Sequence, residues 1–172
     1  MMRIVRKGFV TLLMAVFLLG GCSNASYEDK SKQAVEAAKA AFEEKSQNTN
    51  KNTGEIGFYL PFGFEIKEGK PNNIILKNGS KTYILFYNQN ESKESKVVYE
   101  ASVAQYEELE TDEQFQGKGK LGFILIERLE DDMNILTAGV GGVKITTETK
   151  TSSLDEEAKT LMQIANSVEF KK

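Results

Sequence analysis

The sequence predicts an α+β fold: an antiparallel, meandering β-sheet with a C-terminal helix packed on one face, preceded by an N-terminal helix and a linker. Three observations carry this. Across residues 56–149 apolar side chains recur in short runs, several at a spacing of two, the period of a strand with one buried face. Asn78-Gly79 separates two such runs, the strongest short-range signal for a hairpin. Residues 153–168 then switch to helical spacing, placing Leu154, Ala158, Leu161, Met162, Ala165 and Val168 on one stripe.

The chain opens on Arg3, Arg6 and Lys7 without an acid, followed by an apolar run over residues 9–19 and then Gly20-Gly21-Cys22. A basic end, a short apolar core and small residues are the parts of a secretory signal. The run falls short of the roughly 20 apolar residues a spanning helix needs. Leu19-Gly20-Gly21-Cys22 resembles the lipobox of bacterial lipoproteins. That resemblance implies a diacylglyceryl group on the Cys22 thiol and cleavage between Gly21 and Cys22, removing residues 1–21 as a signal peptide. Cys22 is the only cysteine, and its flank of Ser23, Asn24 and Ser26 is too polar for a buried thiol. Two acyl chains hold a protein stably at a bilayer where one does not.

Cleavage before Cys22 leaves 151 residues, enough for one domain with a real core. Losing Arg3, Arg6 and Lys7 leaves 19 basic against 25 acidic residues, a net charge of −6. That balance argues against nucleic acid, whose affinity comes from basic contacts to phosphate. With the one thiol acylated, no disulfide within the chain can form, so stability rests on packing.

The sequence divides at residue 56, with residues 22–55 as the lipidated N-terminus, helix and tether, and residues 56–172 as the globular domain. Residues 26–45 read as a helix, with Ser26-Tyr27-Glu28-Asp29 as its capping box and Ala34, Val35, Ala38, Ala41 and Phe42 on one side. So alanine-rich a stripe fits either docking on its own domain or a stalk. Residues 46–54 hold no apolar side chain and read as a flexible linker. Strands are expected at 58–60, around Phe62, Phe64 and Ile66, at 74–77 and at 82–87. Further strands are expected at 97–103, where Val97, Tyr99, Ala101 and Val103 alternate, and at 121–129, 135–140 and 143–149. Gly141-Gly142 is either a tight hairpin or a bulge. Ser153-Leu154-Asp155-Glu156 has the form of a second capping box, and three acids in the first turn suit the helix dipole.

Leu60-Pro61-Phe62-Gly63-Phe64, leading into a meander and closed by a helix that runs into Ser167-Val168, is similar to small envelope domains of the PsbP and Mog1-like kind. The similarity implies a fold and no activity.

Chemistry is sparse. The chain has no histidine, which removes histidine-activated nucleophiles and the commonest zinc ligand. Neither a Gly-x-Ser-x-Gly elbow nor Ser-x-x-Lys occurs. Ala138-Gly139-Val140-Gly141-Gly142 lacks the strand-then-helix setting of a phosphate loop, Gly117-Lys118-Gly119-Lys120 lacks the following Ser or Thr, and the glycines of both read as turns. The acids Glu107, Glu108, Glu110, Asp112 and Glu113, and Glu130, Asp131 and Asp132, match no calcium-loop spacing and read as solvated surface. Tyr83, Tyr87 and Tyr99 are the candidate binding face, the alternative being that they pack under a helix. No cofactor or metal is implied. The expectation is a non-catalytic lipoprotein on the extracytoplasmic face of a bacterial membrane, plasma or outer, with an unidentified protein partner; the alternative is a small-ligand or solute-binding lipoprotein.

Overall fold

The computed structural model describes residues 26–130 and 132–171. Cys22 and residues 1–21, the expected signal peptide that ends at Gly21, lie outside these residues. The first helix, α1 (Tyr27–Glu43), is capped as expected, since Ser26 Oγ accepts a 3.2 Å hydrogen bond from the Asp29 amide. Two short strands follow, β1 (Lys51–Asn52) and β2 (Ile56–Phe58). They form a three-stranded antiparallel sheet with the C-terminal β10 (Glu169–Phe170), β2 in the middle.

The main sheet has seven antiparallel strands, the product of two meanders. The first is β3 (Phe64–Lys70), β4 (Asn73–Asn78) and β5 (Lys81–Tyr87); the second is β6 (Thr111–Gly117), β7 (Lys120–Arg128), β8 (Met133–Val140) and β9 (Val143–Lys150). They join where β5 pairs with β9, giving the order β3-β4-β5-β9-β8-β7-β6. Asn78 pairs with Lys81 and Val140 with Val143, so Gly79-Ser80 and Gly141-Gly142 are both two-residue hairpin loops. After a 3₁₀ turn at Thr151–Ser153, α3 (Leu154–Ser167) lies across β8 and β9. The fold is α+β.

One face of the sheet carries the main core. Ile74, Leu76, Leu85, Ile124, Ile126, Leu136 and Ile145 are buried there against Leu161, Met162 and Ile164 of α3 and Ala34, Ala38 and Phe42 of α1. The alanine stripe therefore docks on the domain, its small side chains letting α1 lie close to α3. Gly122 makes room for Phe42, since a Cβ there would stand 2.6 Å from the ring.

The expected tether over residues 46–54 is tied down by polar groups instead of apolar ones. Ser46 Oγ donates to the Asn166 carbonyl (3.0 Å), β1 pairs with β2, and Asn50 both donates to the Leu60 carbonyl (3.0 Å) and accepts from its amide (2.8 Å). The boundary expected at residue 56 thus runs through one packed unit. Asn166, 2 % exposed, is the hub: its Nδ2 reaches the Ala41 and Phe42 carbonyls at the end of α1, and its Oδ1 accepts from Lys120 at 2.8 Å.

Two further expectations are corrected. Residues 97–103 form α2 (Val97–Val103), a helix that buries Val98 and Ser102 and leaves Val97 51 % exposed. Ser153 makes no side-chain cap to α3, because after the 3₁₀ turn its backbone sits at φ −110° and ψ 4°, outside the extended conformation of a capping residue.

Candidate functional site

Tyr83, Tyr87 and Tyr99 do not share a face. Tyr83 and Tyr87 lie on the inner side of β5, buried beneath α3 and its neighbours. The Tyr83 hydroxyl donates to Glu157 of α3 at 3.2 Å, and its ring packs on Phe64 at 4.8 Å. Burial, then the Glu157 charge, pushes the Tyr83 hydroxyl well above its ordinary pKa. The Lys81 ammonium pairs with the same carboxylate and also reaches Thr149. These four side chains satisfy one another beneath α3, an arrangement that ties helix to sheet. Tyr87 donates to Glu55 at 2.7 Å and its ring meets that of Phe170 at a tilt, 6.4 Å between centroids, pinning the small sheet to the large one.

Tyr99 sits on α2, on the opposite face. It meets Phe123 edge-on at 5.6 Å within a second cluster that includes Val98 and Leu125. The connection carrying α2 leaves β5 in the middle of the sheet and returns as the edge strand β6, so it crosses the outer face and covers it over β7. Lys144 of β9 lies under this cover, donating to Ser102 (3.0 Å) and Gln105 (3.4 Å), and burial lowers its pKa.

The rest of the outer face is open. Ile84 is 49 % exposed, and with Met133, Ile135, Thr82 and Thr146 it lines a hollow of about 520 Å³. A larger groove, about 1160 Å³, runs between α1 and the β6 edge past Glu28, Glu36, Glu110 and Glu113. There Ser31 and Thr111 share a 2.7 Å hydrogen bond, and Arg128 lies over the Tyr27 ring at 4.9 Å. Beyond the strands, Phe62 projects wholly into solvent at 104 % exposure.

The acids at 110–113 begin the edge strand β6, where charges discourage pairing with another chain. Among the described residues no three His, Cys, Asp or Glu side chains gather as a metal site, and no helix is long and apolar enough to cross a membrane. Cys22, where a lipid is expected, and Gly21 lie outside the described residues.

No protein family and no curated protein matches the chain. Among solved structures, a protein from Bacteroides thetaiotaomicron VPI-5482, known from a crystal structure at 1.50 Å resolution, is similar at 12 % identity and TM-score 0.36. The match covers 68 % of this chain and 45 % of that one, so the chain spans less than half of that protein's length. At this level the likeness bears on neither fold nor activity.

The open sheet face and Phe62 were legible only in part. Ile84 stands out of phase with Tyr83 and Leu85, the signal of an outward apolar residue. The alternation of Phe62 with Phe64 and Ile66 suits a strand, but Gly63 at φ +88° turns the chain, so β3 begins at Phe64 and Phe62 stands outside it.

Proposed function

We propose that the chain is a non-catalytic lipoprotein of a bacterial cell envelope, held at the membrane through Cys22 and acting as a protein-interaction or assembly-accessory module. The single observation that carries the reading is Leu19-Gly20-Gly21-Cys22, placed after a basic end and a short apolar run, with its cysteine unique in the chain. A module that engages proteins needs an apolar surface it does not use for its own folding. The uncovered part of the outer face, with Ile84, Met133 and Ile135, supports that role.

The test is metabolic labelling with a fatty acid in a bacterial host. Wild-type protein takes up label and remains with the membrane; Cys22→Ser takes up none and is recovered uncleaved or soluble. Label on the Cys22→Ser protein would sink the reading. The small-ligand alternative draws on the 520 Å³ hollow, a volume within the range of small-molecule sites. Native mass spectrometry of the detergent-solubilised protein separates the two, through a stoichiometric protein partner or a co-purifying small molecule.

A further inference from the structure

One row of strand pairs defines an end of the domain. Phe64 pairs with Asn78, Asn78 with Lys81, Asn134 with Thr149, and Arg128 with Asn134. Lys81 Nζ reaches Thr149 Oγ1 at 3.4 Å and closes the row. At one side of it Arg128 covers Tyr27, the first residue of α1, so the chain leaves the domain toward Cys22 at this end. At the other side, roughly 24 Å away over five spacings of about 4.8 Å, stands the turn that carries Phe62.

That turn is built to hold its ring outward. The Phe64 amide donates to the Pro61 carbonyl at 3.2 Å, and Gly63 takes φ +88°, the pattern of a type II turn, which wants glycine at that position. The base is clamped twice, by Asn50 on both sides of Leu60 and by Ser167 Oγ accepting from the Tyr59 amide at 2.9 Å. A phenyl ring so exposed on so fixed a base forgoes the burial that other aromatic residues of the chain obtain. Leu129, 36 % exposed, follows Arg128 at the same end.

We infer that this end of the domain faces the bilayer and that Phe62 rests in its headgroup layer. The inference rests on Cys22 as the anchor. Ser26 stands four positions after Cys22, a reach of no more than about 14 Å even fully extended, so the α1 end cannot stand far from the surface. The acyl chains supply the affinity. A second, apolar contact across the row sets which way the domain points. Glu28, Asp29, Glu110, Glu130 and Asp132 are exposed at this end beside Arg128 and Lys150, so no net basic patch draws anionic lipid and the contact is apolar.

The chain has no tryptophan and one cysteine, which makes the test clean. Residues 22–172 contain every element of the fold; coupling Cys22 to a maleimide lipid in phosphatidylcholine vesicles fixes the protein whether or not cells acylate it. Phe62→Trp is compared with Asn90→Trp, which sits in the exposed loop next to the β8–β9 hairpin at the far end. On the vesicles, indole emission from the Phe62→Trp protein shifts to the blue and is quenched by dibrominated phosphatidylcholine. Emission from the Asn90→Trp protein matches that of its uncoupled chain, and unchanged thermal unfolding shows both variants folded. Equal, unquenched emission from the two variants would overturn the inference and leave Phe62 as an anchor for a protein pocket. Failure of cells to acylate Cys22 would count against the anchoring reading alone.

Discussion

Single side chains decide how α1 is fastened. Lys30 donates to Asp155 at 3.0 Å, joining the first turn of α1 to the first turn of α3. Burial alone would raise the Asp155 pKa, but the Lys30 hydrogen bond and the amides of the α3 start hold it below the ordinary value. A carboxylate depressed in the folded state contributes stability above its unfolded pKa of about 3.9, and that contribution is lost as pH falls through the folded value. Asp155→Asn should therefore lower the melting temperature slightly at pH 7 and leave it unchanged near pH 2. The pair is partly open to solvent, so the difference should stay under about 1 kcal/mol. Thermal unfolding of both proteins across this range checks it; a difference that persists at pH 2 would mean that Asp155 acts by shape and not by charge.

At the scale of elements, the contrast between α2 and the strands is instructive. Val97, Tyr99, Ala101 and Val103 alternate, yet the same seven residues place Val98 with Ser102 and Tyr99 with Val103 at helical spacing. So short a run fits both periods. The deciding signal lay elsewhere, in β7, where Leu121 to Ile126 are buried without a break. A continuous apolar strand is one covered on both faces, and α2 is the second cover. The C-terminal ends of α1 and α3 show the polar counterpart, with Asn166 serving two carbonyls of α1 and the ammonium of Lys120. Asn166→Ala removes the side-chain donor of the buried Ala41 and Phe42 carbonyls, at a cost of about 1–3 kcal/mol, while Lys120 keeps Ser46 Oγ. Urea unfolding should show the midpoint fall with the slope unchanged. A loss below about 0.5 kcal/mol would show that water replaces the side chain there.

For the whole molecule, the unit that folds begins at α1. Removing residues 22–55 strips Ala34, Ala38, Ala41 and Phe42 from the core, where Phe42 alone is worth about 1.5–3 kcal/mol, and bares the stripe of α3 beneath. A chain beginning at Ile56 should unfold at a much lower temperature than residues 22–172, or without a cooperative transition, and residues 46–54 of the longer chain should resist limited proteolysis. Equal melting temperatures for the two chains, with early cleavage in that stretch, would restore a mobile tether. By itself the sequence determined the α+β class, both long helices, a hairpin at Asn78-Gly79 and the place along the chain of most strands. Each rests on spacing between near neighbours or on turn chemistry, which the local chain carries in full. Where a face points is different, because it depends on partners far away in sequence. Tertiary structure alone decided that the alanine stripe docks, that residues 46–54 are held by Asn166, Leu60 and β2, and that Tyr99 lies across the sheet from Tyr83 and Tyr87. A hydrogen bond between residues 120 positions apart, such as Ser46 to Asn166, leaves no periodic trace in either segment.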